Sequence, residues 1–100
     1  MPKFDYSVIR KELDPIIRDV SNEIVYQTPF EAIIYTHWIF DPVIEDLKEK
    51  YKLHSIKLKV KEDKRAYGII IVITAKKNFT FFSAPYKLKI TVQLDEYTLD

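Results

Sequence analysis

YGIIIVITA, residues 67–75, is the stretch around which the rest of the chain must be arranged. Residues 69–73 are all Ile or Val, too β-branched for a comfortable helix, and the whole stretch is too short to cross a bilayer. It reads as the central strand of a sheet. Successive side chains in a strand point to opposite faces, which puts Tyr67, Ile69, Ile71 and Ile73 on one side and Gly68, Ile70, Val72 and Thr74 on the other. Both sides are apolar in the middle, so both need cover. Helices elsewhere in the chain can cover one of them; the second cover has no obvious source in the sequence.

The neighbouring segments keep a period of two. Ile56, Leu58 and Val60 alternate with Lys57, Lys59 and Lys61, and Tyr86, Leu88, Ile90, Val92 and Leu94 alternate with Lys87, Lys89, Thr91 and Gln93, the pattern of strands with one buried and one wet face. Residues 62–65 form a charged turn, and Lys76, Lys77 and Asn78 form another. FTFFS, residues 79–83, can run back as a further strand before Pro85 interrupts the ladder. Residues 54–94 therefore predict an antiparallel meander of three or four strands, and the tail beyond it is expected to fray.

The first half has the spacing of helices. Ile9, Leu13, Ile16, Ile17, Val20 and Ile24 recur at three and four residues, with Pro15 predicting a kink or a restart capped by Asp14. Thr28, Pro29 and Glu31 have the arrangement of a capping box, so a helix should begin there. AIIYTHWIF, residues 32–40, would also suit a buried strand, in a mostly-β alternative, but the capping signal favours helix. Phe30, Ile33, Ile34 and Trp38, continued by Ile44, Leu47 and Tyr51, then make one apolar stripe across a second start at Asp41-Pro42. The fold class that follows is α+β: one domain, residues 1–100, with two or three helices over about residues 1–51 packed on one face of the C-terminal meander.

Composition excludes several chemistries. The absence of cysteine removes disulfides, zinc fingers, iron–sulfur ligation and thiol catalysis, and a single glycine, Gly68, rules out phosphate-cradling loops and with them a nucleotide cofactor. The start has no signal-peptide pattern and no segment reads as a membrane span, so the chain is expected to work in the cytoplasm. Abundant Lys, Glu, Ile and Tyr with few Asn, Gln and Met resembles the usage of heat-adapted proteins. Of the two histidines, His37 lies four residues before Asp41 and eight before Glu45, but within an apolar run where a core role is expected. No serine sits in a nucleophile elbow. Neither catalysis, a metal nor another cofactor is expected.

Charge is unevenly placed. Residues 1–50 carry six Lys/Arg against ten Asp/Glu, and residues 51–100 carry ten against five, so acidic helices are expected to pair with the sheet's lysines at its rim. The alternation places Lys57, Lys59, Lys61, Lys87 and Lys89 on one sheet face, flanking Ile70 and Val72, with Lys76, Lys77, Phe79, Phe81 and Tyr86 near one end. An apolar middle with charged margins is how a binding patch looks in section. The expected function is a small interaction protein that uses this face to form a homodimer or to bind another protein. Lysines beside aromatic rings also suit single-stranded nucleic acid. KKNFTFF, residues 76–82, resembles the basic-aromatic strand of RNA-recognition sheets but lacks its glycines, and the order of elements differs, so no membership follows.

Overall fold

The computed structural model describes residues 3–79 and 84–95. Within them the chain runs α1 (Ser7–Ile24), α2 (Pro29–Lys50), β1 (Ser55–Asp63), β2 (Gly68–Lys76) and β3 (Tyr86–Gln93). The strands form one antiparallel sheet in the order β1-β2-β3, so the fold is α+β with YGIIIVITA at its centre. Of the additional strand expected over residues 79–83, Phe79 lies outside any strand, and residues 80–83, like the tail 96–100, lie outside the described residues.

The two helices start differently. Tyr6 makes no side-chain cap at the start of α1, where the Ser7 amide donates instead to Asp5 Oδ1 (3.0 Å), whereas the capping box of α2 is complete: the Glu31 amide donates to Thr28 Oγ1 (3.3 Å) and the Thr28 amide donates to Glu31 Oε1 (3.2 Å). The Thr28 hydroxyl, which donates to Glu31 Oε1 at 2.8 Å, and then the Thr28 amide hold the Glu31 carboxyl below its ordinary range. The helices do not restart at Pro15 or Pro42, and both prolines lie inside continuous helices. Each removes the amide that would bond the carbonyl four residues earlier, on Lys11 and Trp38, and both of those residues are exposed, so water can serve in its place. Asp14 and Asp41 are accordingly not caps. Asp14 accepts from Arg10 Nε at 2.7 Å, and Asp41 meets His37 Nδ1 at 3.2 Å.

The close of α2 sets up the sheet. The Lys52 amide donates to the Glu49 carbonyl and the Leu53 amide to the Lys48 carbonyl, a Schellman ending in which Lys52 takes the left-handed conformation (φ 52°) and Leu53 is buried. Lys77 then ties this corner to the sheet. Its ammonium donates to the carbonyls of Tyr51 and Lys52, its amide donates to the Tyr6 hydroxyl, and its carbonyl accepts from the His54 amide.

Strand register sorts the side chains as alternation predicts. Ile69, Ile71, Ile73 and Ala75 of β2 are fully buried and sit beside Ile56, Leu58 and Val60 of β1 and Leu88, Ile90 and Val92 of β3. They share one core with Ile9, Leu13, Val20 and Ile24 of α1 and Ala32, Phe40, Ile44 and Leu47 of α2. Thr36, the buried polar residue of α2, turns its hydroxyl to the Ala32 carbonyl at 2.7 Å and so costs the core no unpaired donor. At the far end, the Leu94 amide donates to the Tyr67 carbonyl and the Asp95 amide to the Val25 carbonyl, fastening β3 to the end of α1. No helix among the described residues is long and apolar enough to cross a membrane.

Candidate interaction surfaces

The side of the sheet opposite the core carries Ile70, Val72, Thr74 and Lys76 along β2, all partly exposed, and Ile70 and Val72 do not pack against the core cluster. Cross-strand register builds three rows over them: Lys57–Thr74–Lys87, Lys59–Val72–Lys89 and Lys61–Ile70–Thr91. Strand spacing puts the lysine column of β1 about 10 Å from that of β3, with the two apolar side chains on the floor between. At the end near the β1–β2 turn, a shallow depression of about 510 Å³ is lined by Lys61, Asp63, Ile70, Lys89 and Thr91 among others. All five lysines of the two columns are exposed. Lys57, Lys59, Lys61, Lys87 and Lys89 do not make the expected pairing with helix acids among the described residues, where ion pairs join Arg10 to Asp14, His37 to Asp41 and Lys50 to Glu12.

The basic-aromatic end of this face is only partly assembled. Lys76 shares the open side, but Lys77 is spent on the α2 corner, with its ammonium also 5.5 Å from the Phe4 ring centroid. Tyr86 pairs with Ala75 on the core side, where its ring stacks on Tyr6 (5.2 Å between centroids, 4° between planes). Phe79 is exposed beside His54, their rings 5.1 Å apart. Phe81 lies outside the described residues.

A second surface runs along α2. Phe30, Ile34 and Trp38 are 73%, 54% and 72% exposed, and their four-residue spacing sets them in one line on the helix side turned away from the core. The expectation that these residues belong to a buried stripe with Ile44 and Leu47 is corrected: the buried line is Ala32, Thr36, Phe40, Ile44 and Leu47, roughly half a turn away. Tyr35 meets the Trp38 indole edge-on at 6.0 Å, which braces the largest of the exposed side chains. The outward line continues from Trp38 through Asp41, Glu45 and Glu49, all exposed, so its N-terminal half is apolar and its C-terminal half acidic.

A signal for the second surface was present in the sequence. Between Phe30 and Phe40 the apolar residues go nearly all the way round the helix, and a domain this small has no interior large enough to bury a helix on every side. His37 is half-buried on this helix and pairs with Asp41 rather than sitting in the core, and no group of three His, Cys, Asp or Glu among the described residues is placed to hold a metal.

The chain matches no protein-family model, no curated protein and no solved structure.

Proposed function

We propose that the protein is a small intracellular interaction protein that acts by association, first of all with its own copies, rather than by catalysis. The observation that carries this reading is the line of Phe30, Ile34 and Trp38 on the outside of α2. Fully burying a large apolar side chain stabilises by about 1.5–3 kcal/mol relative to leaving it in water. Three such residues in register, one of them tryptophan, have the composition of an interface centre rather than of scattered surface residues. The open sheet face, with Ile70 and Val72 between lysines, is the second half of the same reading.

Light scattering behind size exclusion tests it. The wild-type chain is expected to run heavier than a monomer at high micromolar concentration, and Trp38→Glu is expected to return it to monomer with an unchanged circular dichroism spectrum. A wild-type protein that stays strictly monomeric removes the reading.

A second reading, single-stranded nucleic acid on the sheet face, rests on the two columns of lysine that make no ion pair among the described residues. The engagement of Tyr86 with Tyr6 and of Lys77 with the α2 corner leaves it with fewer rings and cations than base stacking would use. Titration with a single-stranded oligonucleotide at two salt concentrations checks it, because affinity driven by lysine must fall steeply with salt.

A further inference from the structure

We infer that the cover for the open sheet face is helix α2 of a second copy of the chain, so that copies associate head to tail. This rests on the proposal of self-association and names the two surfaces that meet.

Shape argues for it first. The open face is one helix wide: an α-helix is about 10 Å across, and the lysine columns of β1 and β3 stand about 10 Å apart on either side of β2. Length agrees as well, since the 22 residues of α2 extend about 33 Å and the 9 residues of β2 about 30 Å. Helix α2 already packs along β1 on the core side, so helix laid on sheet is a geometry these elements adopt. On the open face, the line of Phe30, Ile34 and Trp38 can meet Ile70 and Val72, and the depression beside Ile70 has room for a ring.

Charge argues for it independently. The outward line of α2 ends in Asp41, Glu45 and Glu49, while the sheet face presents Lys57, Lys59, Lys61, Lys87 and Lys89. Within one chain these two sets do not pair, because the core lies between them: the helices occupy one layer and the open face is the far side of the other. Asp41 meets His37, but Glu45 and Glu49 on the helix and the five lysines on the sheet are left with like charges that a second copy would neutralise. A twofold pairing of sheet on sheet would instead bring lysine columns against lysine columns, and pairing of α2 on α2 would leave the sheet face uncovered. A head-to-tail contact uses different patches on the two partners, so every added copy offers a new helix line and a new sheet face until a ring closes.

Complementation of two defective variants tests the inference. Ile34→Ser with Trp38→Ser disables the helix line, and Lys59→Glu with Lys89→Glu disables the sheet face; all four positions are exposed, and circular dichroism checks that both variants fold. Head-to-tail association predicts that each variant alone is monomeric, that their mixture forms a 1:1 heterodimer and nothing larger, and that raising salt from low to physiological weakens it several-fold. A sheet variant that associates as well as wild type overturns the inference while leaving self-association standing, since the helix line would then be pairing with itself. Two monomeric variants that ignore each other overturn it too. A wild-type chain that is monomeric, or that binds a single-stranded oligonucleotide on the sheet face without associating, overturns both this inference and the proposal beneath it.

Discussion

The Tyr51 hydroxyl donates a hydrogen bond to Glu12 Oε2, joining the end of α2 to the middle of α1, while Lys50 Nζ holds the other carboxylate oxygen at 3.0 Å. The Tyr51 bond, and then the Lys50 bond, hold the Glu12 carboxyl below its ordinary value of 4.5. The Glu12 bond in turn pushes the Tyr51 phenol above its ordinary 10.0. A carboxyl whose value is depressed by folding stabilises fully above 4.5 and loses that contribution as pH falls below it through the folded value; a phenol whose value is raised stabilises below 10.0 and loses its contribution as pH rises through the folded value. One hydrogen bond thus feeds both limbs of the stability profile. Thermal melts across pH should show both limbs reduced in Glu12→Gln and in Tyr51→Phe, the acid limb more in Glu12→Gln because Tyr51→Phe leaves the Lys50 bond to Glu12 in place; unchanged limbs in both variants would mean that solvent replaces the bond at no cost.

Lys52 occupies a position that favours glycine. It is the left-handed residue of the Schellman ending of α2, with φ at 52°. Its carbonyl accepts from Lys77 Nζ, a bond that belongs to the backbone and survives replacement of the side chain. Lys52→Gly relieves the steric cost of φ above zero and gives part of the gain back through the freer unfolded chain, leaving a net stabilisation of about 0.5–1 kcal/mol by urea denaturation. Destabilisation would show that the Lys52 side chain contributes more than its backbone strain costs.

Gly68 is needed for a different reason. Its φ is ordinary, but it pairs with Gln93 of β3, and a Cβ there would fall against the Val92 carbonyl oxygen, far inside contact distance, with Gln93 Cα close behind. Because the obstruction is backbone, no rotamer change relieves it. Gly68→Ala is expected to cost about 3 kcal/mol in chemical denaturation by forcing the β2–β3 register apart at this end. A loss under 1 kcal/mol would mean that β3 can lift at its end without disturbing the sheet.

The sheet was legible because its information is local and redundant. Alternation in IKLKVK and YKLKITVQ, together with the unbroken β-branched run between them, fixes which side chains share a face with no knowledge of the partner strands. Helix α2 was legible at its ends, through Thr28 and Glu31, and illegible in its phase. With Phe30, Ile33, Ile34, Tyr35, Trp38, Ile39 and Phe40 all apolar, periodicity cannot choose between the line through Trp38 and the line through Phe40; packing on the sheet chooses. Pro15 and Pro42 misled for a related reason. The cost of a proline inside a helix is about 3 kcal/mol, and burial of Phe40, Ile44 and Leu47 on both sides of Pro42 outweighs it, a tertiary effect that no local signal contains. The charge imbalance between the halves was visible in the composition, but whether opposite charges meet or are kept apart depends on which layer each occupies.

The columns of lysine make a prediction of their own about the monomer. Along β1, Lys57, Lys59 and Lys61 are spaced about 7 Å apart, and Lys87 and Lys89 stand about 10 Å across the sheet from them. None has an ion pair among the described residues, and folding brings the β1 column beside the β3 column, like charges that the unfolded chain keeps far apart. Screening reaches about 30 Å at 0.01 M salt and about 8 Å at 0.15 M, so the cross-sheet separations of about 10 Å pass from well inside the screening length to beyond it. At concentrations low enough to exclude association, the melting temperature should therefore rise with salt between these two conditions, the opposite of what a fold held by surface ion pairs would do. Replacing Lys57, Lys59, Lys87 and Lys89 together by glutamine should leave the fold intact and abolish most of that rise, because exposed charges contribute little to stability except through their mutual repulsion. A salt response that persists in the quadruple variant would place its origin elsewhere, and loss of folding would mean that the lysine stems, rather than their charges, shelter Ile70 and Val72.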